Sequence, residues 1–207
     1  MVRNVSAAGS VGAGWSASTS FTHASAPSTP AGRALRASVV SAAYSTFMLS
    51  IRPVQPHDIP ALKSVIDSTG LFPSAMLDGM IAAYFAADAA CQELWFTLHD
   101  EQPIGVAYRA PERMTSGTWN LYLIAVHPSR QSCGHGAAFM SHIEALLAQR
   151  GERVLLVETS GLPEFERTRA FYLRNGYTRE AVIRDFYNAG EDKIVFHKAL
   201  RSASPRT

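Results

Sequence analysis

The stretch of this chain best suited to chemistry is His127-Pro128-Ser129-Arg130-Gln131-Ser132-Cys133-Gly134-His135-Gly136-Ala137. An apolar run from Thr118 to Val126 precedes it, and a sequence with helical periodicity follows it. A loop leading into a helix N-terminus presents unpaired N–H groups and the positive end of the helix dipole, and so favours an anion such as a phosphate. Gly134 and Gly136 remove side chains where a phosphate would approach the backbone. Arg130 or Gln131 could add a side-chain contact. The same two glycines would serve an ordinary strand-to-helix turn equally well, and spacing alone does not separate the two uses.

Other chemistries fit less well. A P-loop ends in Gly-Lys-Ser/Thr, and this loop has no lysine. The dinucleotide fingerprint comes closer, because Gly134-x-Gly136 opens a helix and Glu158 ends the next apolar run 22 residues after Gly136. Its third glycine position holds Phe139, however, and Gly134 lies eight residues beyond Val126, where that motif turns at once. Cys133 at a helix start would have its thiol acidified, yet no neighbouring base is evident to make it a nucleophile. The seven histidines are scattered, and the two cysteines, Cys91 and Cys133, have neither disulfide nor metal-ligand spacing, so no metal site is expected.

Several segments in order resemble the GNAT superfamily of N-acetyltransferases. Gln131-Ser132-Cys133-Gly134-His135-Gly136 matches its Gln/Arg-x-x-Gly-x-Gly/Ala motif, and Ile124-Ala125-Val126-His127-Pro128 its strand end. Ala170-Phe171-Tyr172-Leu173-Arg174-Asn175-Gly176-Tyr177 resembles its Phe-Tyr-x-x-x-Gly-Phe/Tyr segment, and Ile51-Arg52-Pro53 its opening. The resemblance covers Leu49 to Leu200. It departs at Phe165 and Thr168, where relatives often carry Asn and Ala.

The resemblance implies acetyl-CoA as co-substrate and a direct transfer of its acetyl group to a primary amine. The coenzyme diphosphate would lie on the amides of Gln131, Ser132, Cys133, Gly134, His135, Gly136 and Ala137. Its pantetheine arm would pair with Ile124, Ala125 and Val126, splayed from the strand ending at Glu158, with the Ala125 or Val126 N–H near the thioester carbonyl. Tyr172 aligns with the tyrosine that protonates the leaving thiolate. Glu158 could accept the amine proton, or could simply pair with Arg167 or Arg169. Phe72, Trp119, Tyr122, Asp185 and Tyr187, with Phe186, could line an acceptor groove. A non-catalytic acyl-CoA-binding module of the same fold is the alternative.

These residues need a scaffold, and the pattern supplies one. A strand over 49–54 leads to a helix with Ile59, Leu62, Val65 and Ile66 on one face, capped by His57-Asp58 and stopping at Gly70. A second helix is expected from Ser74 to Ala87, then a hairpin with arms at 93–98 and 104–108. The long strand 118–126, a helix over 134–150 and the strand 154–158 read as a parallel βαβ unit. A helix over 166–175 ends at Gly176, and strands 177–184 and 193–198 close the domain. The expectation is an α/β fold of the GNAT type, a mixed sheet of six to seven strands with about four helices.

Composition agrees with one such domain. The chain has 207 residues, 47% hydrophobic and 17% charged, and a net charge of +2 that gives no sign of a nucleic-acid binder. No apolar run reaches the ~20 residues of a membrane span, so no membrane partner is expected. The acceptor would meet a monomer or homodimer in the cytoplasm. Residues 1–47 are rich in Ser and Ala and contain no acid, so they are expected to be a disordered extension. Either they resemble a transit peptide, which would place the protein in an organelle, or translation starts at Met48. Residues 201–207 are expected to form a disordered tail.

Overall fold

A computed structural model describes residues 49–86 and 92–200. The extension 1–47, Met48, Ala87, Cys91 and the tail 201–207 lie outside the described residues.

Seven strands form one sheet: β1 (Ser50–Pro53), β2 (Leu94–Asp100), β3 (Gln102–Pro111), β4 (Thr118–Val126), β5 (Val154–Ser160), β6 (Thr178–Asn188) and β7 (Glu191–Ala199). Their spatial order is β1-β2-β3-β4-β5-β7-β6. Among the described residues only β4 and β5 pair in parallel, and the helix between them, α3 (His135–Gln149), makes the crossover such a pair requires. The other α-helices are α1 (Ile59–Thr69), α2 (Leu77–Phe85) and α4 (Glu166–Arg174).

Alternation along the strands divides the core in two. Trp95, Val106, Leu123 and Ala125 turn to one face and bury against Leu62, Val65 and Ile66 of α1 and Leu77 and Ile81 of α2. Phe96, Ala107, Leu121 and Ile124 turn to the other, beneath Phe139, Met140, Ile143 and Leu147 of α3 and Tyr172 of α4. Removing these side chains from water is the main stabilising term, at about 25 cal/mol per Å² of apolar surface.

The element types follow the sequence pattern closely. β4 has the expected bounds, and α1 ends where Gly70 takes φ 61°, a left-handed stop. Three details differ. Asp58 does not cap α1. Its carboxylate instead accepts from the Gln55 N–H at 2.8 Å and from both Arg52 guanidinium nitrogens at 2.7 and 2.8 Å, fastening the entry of α1 to β1. Burial opposes ionisation there, but the Arg52 and Gln55 hydrogen bonds outweigh it and hold the Asp58 carboxyl below the usual carboxylate range. The segment Ser74–Met76 tightens to a 3-10 turn before α2. The final hairpin is also longer than the apolar pattern implied, because its strands are mostly polar.

Arg109 on β3 is fully buried beneath α3. Its guanidinium lies 4.5 Å from the Trp119 ring centroid and 5.7 Å from that of Phe96. Among the described residues, none of its three nitrogens has a hydrogen-bond partner. Burial, with a smaller push from Arg150, lowers its pKa to about 10. Cation–π attraction of about 2 kcal/mol at most does not offset the several kcal/mol of an unpaired buried charge. Arg109→Met, which keeps the length and removes the charge, is expected to raise stability by about 1–2 kcal/mol. Thermal unfolding checks this: the melting temperature should rise by several degrees.

Candidate active site at the splay between two parallel strands

The pairing of β4 with β5 covers only Thr118–Leu121 against Val154–Val157, after which the strands part. The cause lies in β4. Its register with β3 slips between Tyr108, opposite Leu123, and Arg109, opposite Leu121, leaving Tyr122 as an extra residue. Such a bulge bends the strand that carries it. The far half of β4, Leu123–Val126, therefore stays with β3 while β5 follows β7.

The gap exposes backbone. The His127 N–H donates to the Ile104 carbonyl at 2.8 Å, so it faces β3. Antiparallel alternation then turns the Ala125 N–H to β3 as well and leaves the N–H groups of Ile124 and Val126 facing the gap. Of the two donors weighed from sequence for the thioester carbonyl, the Ala125 N–H is thus spent on the sheet, and Val126 is the one available.

From this gap a cleft of about 770 Å³ runs along α4 to the start of α3. Ile124, Ala125, Val126, Gln131, Ser132, Gly134, Gly136 and Ala137 line it. The remaining two loop residues lie beside it, Cys133 exposed and His135 half-buried. Ser132 (φ 64°) and Gly134 (φ 83°) both take left-handed conformations, which turns the chain so that successive N–H groups point the same way. The Arg130 and Gln131 N–H groups bond back to His127 and Pro128, and helical bonding begins with Ala138 to Gly134. Among the described residues, no acceptor takes the N–H groups from Ser132 to Ala137. At Gly136 a Cβ would sit 3.2 Å from the Phe171 ring, so glycine keeps the passage open.

Two side chains expected to reach a ligand are committed elsewhere. The Gln131 amide donates to the Val126 carbonyl at 2.9 Å, and Arg130 pairs with Asp100 on the β2–β3 hairpin. In their place α4 presents Arg167, Phe171 and Arg174 to the cleft. These residues stand at positions i, i+4 and i+7, a single helix face, and that spacing could have flagged them.

Tyr172 is fully buried on the inner face of α4, its ring 5.5 Å from Phe196 and 5.9 Å from Tyr177. Among the described residues its hydroxyl has no hydrogen-bond partner. Burial, then the charge of nearby Tyr187, raises its pKa, so the phenol holds its proton.

Across the sheet, Glu158 stands where β4 and β5 part. Its Oε2 accepts from Lys193 Nζ at 2.9 Å, and its Oε1 from Asn120 Nδ2 at 3.2 Å. Its partner is therefore Lys193, not the Arg167 or Arg169 weighed from sequence; Arg169 donates instead to the Ser160 and Leu162 carbonyls. Asn120 Nδ2 also donates to Glu112 Oε1 at 2.8 Å, and the Tyr122 hydroxyl donates to the same oxygen at 3.1 Å. Burial, then the charge of Glu112 and this hydrogen bond, pushes the Tyr122 phenol up to about 12. Lys193 in turn lies 3.6 Å from the Phe186 ring centroid. Glu112 and Lys193 carry no sequence signal, because strand register alone brings them here.

The other expected acceptor residues separate. Tyr187 is half-buried beside Glu158; burial, then the Glu158 and Glu191 charges, raises its pKa. Trp119 is 4% exposed, points to the opposite face of the sheet and packs on Arg109, so it lines no acceptor groove. Phe72 packs into the α1–α2 core. Asp185 braces the β6–β7 hairpin, its carboxylate accepting the Gly190 N–H at 2.7 Å.

Comparison with known proteins gives this arrangement a family. The profile of the acetyltransferase (GNAT) domain matches residues 90–179. A GNAT-family protein from Desulfovibrio desulfuricans is 34% identical with a TM-score of 0.69, covering 74% of this chain and 99% of its own. The ribosomal-protein-S18-alanine N-acetyltransferase of Escherichia coli shares the fold at 22% identity (TM-score 0.59; 77% and 99% covered). So does a Salmonella typhimurium protein solved with acetyl-CoA, at 18% identity (TM-score 0.59; 77% and 98% covered). No curated protein matches the sequence. With a relative at this identity matched over nearly its whole length, and the splayed strands and open loop before α3 in place, the chain belongs to the GNAT family of acetyltransferases.

Proposed function

We propose that the protein transfers an acetyl group from acetyl-CoA to a primary amine at the β4–β5 splay. The observation that carries this reading is the continuous cleft from the free N–H groups of Ile124 and Val126 to the unspent loop amides at Ser132–Ala137. The residues fit the coenzyme. Two strand N–H groups await a strand-like partner, the loop awaits an anion, and Arg167 and Arg174 add positive charge along the way. Bound there, acetyl-CoA supplies an acyl group activated as a thioester.

The chain's own groups then divide the work. The loop amides and arginines fix the coenzyme. The Val126 N–H donates to the thioester carbonyl as charge builds on it. The acceptor nitrogen forms its bond to the carbonyl carbon as the bond from carbon to sulfur breaks. Tyr172 gives its phenolic proton to the departing sulfur, and Glu158 accepts the proton that the amine sheds. An unpartnered buried hydroxyl costs about 1–3 kcal/mol, and a sulfur at the splay would give Tyr172 a partner.

The test is free-thiol release from acetyl-CoA against a panel of amines: protein N-termini, lysine peptides, polyamines, amino acids and aminoglycosides. Turnover with at least one amine is expected. Tight acetyl-CoA binding with no turnover on any of them would favour a non-catalytic binding module.

A further inference from the structure

The cluster around Glu158 is short of positive charge and of hydrogen-bond donors. Glu112, half-buried at the end of β3, takes two neutral donors on one oxygen, the Asn120 amide at 2.8 Å and the Tyr122 hydroxyl at 3.1 Å. Among the described residues it pairs with no cation, and Arg113 beside it is exposed. Glu158 differs, because Lys193 lies 2.9 Å from it. Asn120 Nδ2 bridges the two carboxylates, so two negative charges stand together with one lysine between them to offset them.

Asn120 itself is 1% exposed, and its Oδ1 has no partner among the described residues. Both hydrogens of its amide nitrogen already go to the carboxylates. What remains open here are acceptors, Asn120 Oδ1 and the second oxygen of Glu112. Buried polar groups are normally paired, and an ammonium supplies both the N–H donors and the charge that this point lacks. Glu112 is also held ready. Its N–H donates to the Thr118 carbonyl at 2.9 Å and its carbonyl accepts from the Thr115 hydroxyl at 2.9 Å. Tyr122 is fixed by its stack on Tyr108, with ring centroids 5.6 Å apart.

The chemistry of transfer says which ammonium. The reacting nitrogen must be neutral to attack, and its proton passes to Glu158. Once neutral, it gives the charge of a second carboxylate nothing to hold. Another cation on the same acceptor does.

We propose that the acceptor is a diamine-like molecule: one amine reacts beside Glu158 while a second, still an ammonium, rests on Glu112. This deepens the acetyl-transfer reading above and rests on it.

Thiol release by the full chain with butane-1,4-diamine, pentylamine and 5-aminopentanoate tests the proposal. These acceptors match in length and differ at the far end, which is an ammonium, a methyl group or a carboxylate. For the wild type, kcat/KM should be about tenfold higher with the diamine than with pentylamine, and lowest with 5-aminopentanoate. Glu112→Gln keeps the shape, removes the charge and should cut the diamine preference to about twofold or less. The wild-type ratio decides even where that variant is unstable. Equal use of diamine and pentylamine overturns the proposal and leaves acetyl transfer standing. So does a preference that survives in folded Glu112→Gln, or turnover of other amines without the diamine. No turnover with any amine overturns both.

Discussion

Tyr172→Phe should lower kcat by about 100-fold, the order expected for loss of a positioned general acid, while leaving KM for acetyl-CoA within about twofold. The same change should leave the protein as stable as before, or more stable by up to about 1 kcal/mol. The reason lies in the packing. The ring contacts Phe171, Tyr177 and Phe196 and fills a site with no exposure, whereas the hydroxyl is buried with no partner among the described residues. Deleting the oxygen keeps the ring contacts and removes a desolvation cost. A structural tyrosine would behave in the opposite way, losing stability and sparing kcat. Steady-state kinetics and thermal unfolding on the same preparations separate the two. Unchanged kcat would move the acid role to Tyr187, the other protonated phenol beside Glu158, or to water.

The second large effect belongs to the loop that leads into α3, the proposed diphosphate site. Gly136→Glu should raise the dissociation constant for acetyl-CoA by at least 100-fold, about 2.7 kcal/mol. Two causes combine. The new Cβ meets the Phe171 ring at 3.2 Å and narrows the cleft, and the new carboxylate takes the positive end of α3 that would otherwise attract a diphosphate. Gly136 has ordinary helical backbone, unlike Gly134 with φ 83°, so the fold should tolerate the change. Calorimetric titration gives the affinity and thermal unfolding the stability. Retained affinity would show that the loop does not hold the anion.

Much of this architecture was legible in the residues because the relevant patterns are local. β4 reads directly as an apolar run between turn residues, and the loop after it announces itself through Gly134 and Gly136. What stayed hidden is register. Nothing local marks Tyr122 as the bulged residue, yet that one insertion opens the splay. Ser160 opposite Lys193 is likewise a consequence of β5–β7 pairing, and it decides that Glu158 is matched by a lysine rather than an arginine of α4. Trp119 looked like a groove residue on type alone. Strand alternation puts it on the face opposite Asn120, and the buried Arg109 then claims its ring. Asp185 looked like a groove residue too, but it takes a left-handed turn (φ 53°) and its carboxylate accepts the Gly190 N–H of its own hairpin.

Coenzyme binding at the splay depends on the unspent amides at the start of α3. Isothermal titration of the full chain with acetyl-CoA tests them most directly. One site per chain is expected, with a dissociation constant between about 1 μM and 1 mM and marked weakening in Gly136→Glu. No heat at millimolar acetyl-CoA, or equal binding by that variant, would contradict it.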